Sequence, residues 1–196
     1  VEDITEKKEA DDALIESRSL FQNVANNSPV GIFRVNEEGL TTYVNPKYCE
    51  ITDLSVEEAM GDGWTKALHP EDYDYAMKGW NKAIENQSIS TSEYRFMHKD
   101  GRTIWVAGRA VPDIVKGKLQ GYIGTINDIT DRKNFELSIL ESEATLKRAE
   151  AVAGFGNWSF NLNNHTVETS EGAKDIYGLE NRKYTITDIQ KLPLPE

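Results

Sequence analysis

Histidine and cysteine are the side chains that most readily supply a metal ligand, a nucleophile or a base near neutral pH. The chain has three histidines, His69, His98 and His165, and one cysteine, Cys49. Their positions show no metal-ligand spacing, and a lone cysteine can form neither an internal disulfide nor a zinc cluster, so no metal is expected. No nucleophile stands beside a base and no paired carboxylates fall at a recognisable spacing, so the fragment is read as non-catalytic. His69 reads as structural or solvent-facing and Cys49 as a small buried core residue.

The charge balance narrows the partners. Lys and Arg number 22 against 33 Asp and Glu, a net charge of -11 that repels phosphate backbones and anionic lipid heads at long range. Nucleic acid and direct membrane contact are therefore not expected. No apolar run approaches the ~18 residues of a membrane helix, and Val1-Glu2-Asp3 lacks the basic-then-apolar opening of a signal peptide. The expectation is a cytoplasmic fragment of a longer protein. At 196 residues it holds one domain and a remainder, with the 38% hydrophobic and 28% charged composition of a chain that folds.

What must position any functional side chain is an internal repeat. Laid on itself at an offset of 125, the sequence puts Asp3-Ile4-Thr5 on Asp128-Ile129-Thr130. Without a gap, 3–71 against 128–196 then gives 14 identities, with conservative pairs such as Phe33/Trp158 in the same frame. The chain thus holds the tail of one copy, a whole second copy and the start of a third. From Ala10 the positions Ala10, Leu14, Ser17, Phe21 and Val24 alternate steps of four and three, as do Phe135, Ile139, Ser142, Leu146, Ala149 and Ala153. Two readings stand for this heptad seam: an amphipathic helix lying on its own domain, or a short parallel coiled coil in a dimer.

Within one unit, Phe33 and Val35 alternate with Ile32 and Arg34 as a half-buried strand, and Asn36 to Gly39 turns it into a second that ends at Tyr43-Val44. Asn45-Pro46 is an N-cap followed by proline at the first helical position, and Ser55 with Glu58 is a capping box. His69-Pro70-Glu71-Asp72 starts a longer helix with Tyr73, Ala76, Met77, Trp80 and Ile84 on one face, ending near Asn86. Three strand-like runs follow, 89–97, 102–112 and 118–127, with turns at Asp100-Gly101 and Lys116-Gly117. In the second run Ile104/Val106 and Trp105/Ala107 both read apolar, so its inward face is open. The order predicts an α+β fold: a five-stranded antiparallel sheet with helices on one face. Phe33, Tyr48, Trp64, Trp80, Tyr94 and Phe96 could line a cavity between sheet and helices or simply fill the core.

The ordered pieces GLTTYVN (39–45), LSVEEAMG (54–61), HPED (69–72), Tyr94-Arg95, Lys99-Asp100-Gly101, Trp105-Val106 and GTINDITDRK (124–133) resemble the PAS family of sensory domains, in the form that carries a PAC segment. The resemblance covers 23–133. Gly156-Asn157-Trp158 and Ile176 to Leu179 resemble the opening of another such domain. It implies a linker helix over 1–22, a complete PAS domain over 23–130, a connecting helix over 131–153 and a truncated second PAS domain over 154–196. Lacking counterparts of 72–127, residues 158–196 are expected to be poorly ordered or to borrow a neighbour's edge strand.

What the resemblance implies for function is a signal-input module of a microbial signal-transduction protein, such as a sensor histidine kinase of a two-component system or a diguanylate cyclase, with a small ligand possible in the core. It implies relay through Asp128, Ile129 and Thr130 into the connecting helix. Either Asp128 or Thr130 can cap that helix, and a plain cap is the simpler alternative. Partners would be a second copy through the connecting helices and the neighbouring PAS and output domains of the same chain. Haem is disfavoured because 73–86 contains no histidine, and flavin because 61–69 contains no cysteine. The other reading is a ligand-free PAS spacer or dimerisation module.

Overall fold

The computed structural model describes residues 2–181, 183–189 and 191, with side chains from residue 7 onward. Val1, the side chains of the upstream Asp3-Ile4-Thr5 motif, and the repeat counterparts Leu194, Pro195 and Glu196 lie outside the described residues. The chain divides into two units, Val1–Lys133 and Asn134–Glu196.

The first unit opens with helix α1 (Glu2–Asn26), followed by strands β1 (Gly31–Val35) and β2 (Thr41–Val44). Helix α2 (Pro46–Thr52) begins where Asn45 accepts the Tyr48 N–H and Pro46 presets φ, and it stops at Asp53, in the left-handed region at φ 57°. The Ser55–Glu58 capping box starts α3 (Val56–Ala59). Gly63–Ala67 and Pro70–Asp72 are 3-10 turns, and α4 (Tyr73–Glu85) follows. The expected single helix from His69 is thus a tight turn with a separate α-helix behind it. His69 Nδ1 accepts the Glu71 N–H at 3.3 Å, closing that turn before α4 begins.

Strands β3 (Ser90–Met97), β4 (Thr103–Val115) and β5 (Lys118–Asp128) complete an antiparallel sheet of order β2-β1-β5-β4-β3. Lys116 and Gly117 take φ of 51° and 77°, the two left-handed residues that a tight β4–β5 turn requires. The α+β expectation of five antiparallel strands with flanking helices is met. One core cluster gathers Val44, Tyr48, Ile51, Phe96, Val106 and Ile126, and another Val35, Ala110 and Tyr122. Burying each large apolar side chain contributes about 1.5–3 kcal/mol. Val106 is fully buried, which settles β4: Val106 and Ala110 face the core while Trp105 is half-exposed on the other face.

Helix α5 (Thr130–Ala153) leaves the sheet and runs into the second unit. There β6 (Trp158–Asn161), β7 (Thr166–Thr169), α6 (Glu171–Tyr177), β8 (Lys183–Thr185) and α7 (Ile186–Ile189) follow. The repeat offset reappears in the backbone, because β7 and α6 coincide residue for residue with β2 and α2 moved by 125. The expectation of a poorly ordered segment, or one borrowing a neighbour's strand, is corrected. The described residues form their own three-stranded sheet, β6-β7-β8. Its β8 pairs with the side of β7 that corresponds to the β2 edge, where the first unit has only an isolated bridge between Thr41 and Gly61.

Candidate functional site

A cavity of about 40 Å³ lies between the first unit's sheet and its helices. Phe33 and Val35 of β1, Thr41 of β2, Tyr48 of α2, Trp64 of the first 3-10 turn and Trp80 of α4 line it together with Ser90, Ser92 and Tyr94 of β3. Strand β4, between β5 and the edge strand β3, contributes Gly108 to Ala110, where a side chain at Gly108 would come within 3.2 Å of the Tyr94 ring. Five of the six aromatics expected at such a cavity are therefore there. Phe96 is not: it is fully buried beneath Tyr94, edge to face at 5.3 Å, and belongs to the packed core.

The cavity wall mixes aromatic faces with the hydroxyls of Thr41, Tyr48, Ser90, Ser92 and Tyr94, and no carboxylate side chain lines it. Burial pushes the phenols of Tyr48 and Tyr94 above the ordinary tyrosine range, so both remain neutral hydrogen-bonding groups. Such a wall binds by stacking and hydrogen bonding and offers no acid–base pair. A single water needs about 10–15 Å³ measured this way, so the space holds a few waters or a ligand of a few heavy atoms. Ser90 and Ser92 escaped the sequence reading, since small polar residues in a strand read as its wet face. Their period of two with Tyr94 and Phe96 was the available signal.

The second constellation is the junction where β5 becomes α5. Asp128 Oδ1 accepts the Thr130 N–H at 2.8 Å, so the aspartate caps the turn. Thr130 does something else: its Oγ1 accepts the Trp105 N–H of β4 at 3.0 Å. Between them Ile129 is buried and its N–H donates to Trp105 O at 2.9 Å, so Trp105 holds the helix start from both of its backbone groups.

Charges gather round the same tryptophan. The Arg95 guanidinium and the Lys133 ammonium lie 5.3 and 5.2 Å from the centre of the Trp105 ring. Glu93 pairs with Lys133 at 2.7 Å and Arg132 at 2.6 Å, and hydrogen bonds from these two hold its carboxyl below the ordinary glutamate range. Arg95 donates to Asp72 through Nε at 2.9 Å, and hydrogen bonds from Arg95 hold that carboxyl down as well. The first turn of α5, the strands β3 and β4 and the turn before α4 are thereby joined.

The heptad seam leaves Leu14, Phe21 and Val24 of α1 and Phe135, Ile139 and Leu146 of α5 exposed. His98 is buried with Nε2 2.8 Å from Ile51 O, and His165 sits in the turn after β6. Cys49 is half-buried on α2, and burial raises its thiol. Among the described residues no three His, Cys, Asp or Glu side chains gather to hold a metal ion, and no helix is long and apolar enough to cross a membrane.

A protein-family model described as the PAS fold matches residues 41–126. The chain is 30% identical over 164 residues to an uncharacterised protein, y4lL, of Sinorhizobium fredii, a match that covers 82% of this chain and 20% of that protein. To sporulation kinase C of Bacillus subtilis it is 31% identical over 126 residues, 60% of this chain and 27% of the kinase. It therefore spans about a fifth to a quarter of the length of these curated relatives. Among solved structures, a sensory box histidine kinase/response regulator from Burkholderia thailandensis superposes with a TM-score of 0.52 at 24% identity, covering 65% of this chain and 98% of that one.

Proposed function

Because the chain carries a PAS domain of the kind found in signalling proteins, we propose that it is a sensor and signal-relay module of a multidomain signal-transduction protein. It takes no catalytic part itself. The observation that carries this reading is the double hold of Trp105 on Ile129 and Thr130, at 2.9 and 3.0 Å. Three residues further along the same strand, Gly108 begins the stretch that lines the cavity. A displacement of β4 by a change in the cavity therefore moves the first turn of α5. The helix then passes the change to the next module, and the Asp-Ile-Thr motif is both a cap and a hinge.

The signal is a small uncharged molecule in the cavity, with haem and flavin disfavoured by the cavity's size and by the lack of a histidine in 73–86 and of a cysteine in 61–69. The exposed apolar seams of α1 and α5 pair with those of a second copy, giving a parallel dimer. Residues 154–196 are the beginning of a second PAS domain, and the output module is a histidine kinase or a diguanylate cyclase in the cytoplasm. The small cavity favours a second reading on its own account, a ligand-free PAS spacer that holds and dimerises its neighbours.

The test of relay is Asp128→Ala and Thr130→Ala in the full-length protein. Each is expected to change the signal response while the first unit stays folded by circular dichroism, and an unchanged response overturns the relay. Native mass spectrometry of the 196-residue chain separates the two readings, because a dimer with added mass per chain supports a sensor and a bare dimer supports the spacer.

A further inference from the structure

We infer that Asn45 is a positioning residue that couples the cavity wall to the entry helix α1, giving the module an amino-terminal port separate from the exit at Thr130. This rests on the relay reading only in taking the cavity as the place where a signal enters. Asn45 is completely buried, and all four bonding positions of its carboxamide that geometry allows here are used. Its Oδ1 accepts the N–H of Ile32 at 2.8 Å and of Tyr48 at 2.9 Å. Its Nδ2 donates to Ala25 O at 2.8 Å and Val30 O at 3.1 Å. Two N–H donors on one side and two carbonyls on the other fix which end of the amide is oxygen.

The acceptor arm and the donor arm do different work. The acceptor arm caps α2, whose Tyr48 lines the cavity, and holds β1. The donor arm reaches the carbonyl of Ala25, a buried residue in the last turn of α1. A shift of Tyr48 and α2 therefore pulls on the end of α1 through one rigid planar group.

The second unit contains the control. Ser170 occupies the position 125 residues on, and its Oγ accepts the N–H of Asn157 at 3.0 Å and of Ala173 at 3.2 Å, the repeat counterparts of Ile32 and Tyr48. Capping and strand attachment thus need only a hydroxyl. What serine lacks is the amide arm. At the end of α5 the tie is made another way, by the Asn157 carboxamide donating to the buried Glu150 carboxylate, and Glu150 is the counterpart of Ala25. The carboxamide at position 45 is therefore required for the helix tie and not for the cap.

Asn45→Ser keeps the cap and removes the tie. Hydrogen exchange of the 196-residue chain, read at the last turn of α1 and the first turn of α5, is the measurement. Asn45→Ser is expected to speed exchange at the end of α1 about fivefold while α2 stays protected. The cavity is then disturbed with Gly108→Ala, which presses on the Tyr94 ring, and separately with Ser92→Val. In the natural background each should change exchange at the end of α1 at least threefold, and in the Asn45→Ser background less than 1.5-fold. Equal responses in both backgrounds, or none at α1 in the natural one, overturn the inference. Exchange at the start of α5 judges the exit relay independently: a response there with α1 silent removes only the Asn45 port. Should Asn45→Ser fail to fold, Asn45→Thr supplies the same hydroxyl, and failure of both shows the donor arm to be structural and overturns the inference too.

Discussion

Both units contain the same hairpin and the same short helix, yet identical positions live in different surroundings. Ile51 on α2 is 4% exposed, and its repeat counterpart, the identical residue Ile176 on α6, is 40% exposed. Val35 at the end of β1 is 2% exposed and its counterpart Phe160 is 48% exposed. In the first unit β5 pairs with β1 from Gly31 to Val35, and Phe96, Val106 and Ile126 lie in one cluster with Ile51. The second unit has hairpin, helix and a third short strand, and among its described residues nothing corresponding to α4 or β3 to β5. Local elements thus form from local instructions, whereas a core needs strands that are distant in sequence.

The largest expected effect tests that contrast directly. Ile51→Ala should destabilise the first unit by about 2–5 kcal/mol, the usual cost of truncating a buried isoleucine. Ile176→Ala should cost the second unit less than about 1 kcal/mol. Peptide-resolved hydrogen exchange reads both, and equal losses would mean that the units share one kind of core.

Next come the paired caps. Asn45→Ala removes the cap and leaves buried partners of four hydrogen bonds unmet, so about 3 kcal/mol is expected. Ser170→Ala removes a cap of two bonds at a half-exposed site and should cost about 1 kcal/mol. Denaturant melts of the two variants measure the difference.

A smaller effect belongs to the exit. Thr130→Ala should cost about 1 kcal/mol, because the Trp105 N–H loses its partner. Faster exchange should be confined to Trp105 and the first turn of α5, leaving the hairpin of the second unit unchanged.

The smallest concerns acid. Hydrogen bonds from Arg95 lower the Asp72 carboxyl in the folded state. Its contribution to stability is therefore fully present above the unfolded value of about 4 and is lost as pH falls through the lower folded value. In Asp72→Asn the first unit's stability should fall less steeply below about pH 4 than in the natural chain. The second unit, whose matched part of the repeat ends at the counterpart of Glu71, should show the same slope in both.

Local chemistry was legible from residue order alone. Asn45-Pro46, Ser55 with Glu58, Asp100-Gly101 and Lys116-Gly117 each act within a few residues, and each marks an element boundary in the structure. The 125-residue frame was legible too, because a repeated sequence repeats its caps: Asn45 and Ser170 start equivalent helices, and Asp53 and Gly178 end them in the left-handed region. The aromatic cavity wall was readable as types but not as a set. Phe96 and Tyr94 lie two apart on one strand, and only the packing of α2 and α4 over the sheet puts Tyr94 at the cavity and Phe96 beneath it.

Three matters were settled by contacts between segments far apart in the chain. The inward face of β4 depended on its neighbours, since Trp105 and Val106 are equally apolar and only the register with β3 and β5 buries one of them. The division of labour between Asp128 and Thr130 depended on Trp105, more than 20 residues away, whose N–H claims the threonine hydroxyl. Closure of the second sheet on β8 depended on the free side of β7. Sequence spacing governs hydrogen bonds that a chain makes with itself over one turn, and burial and register are decided by whichever distant strand arrives alongside.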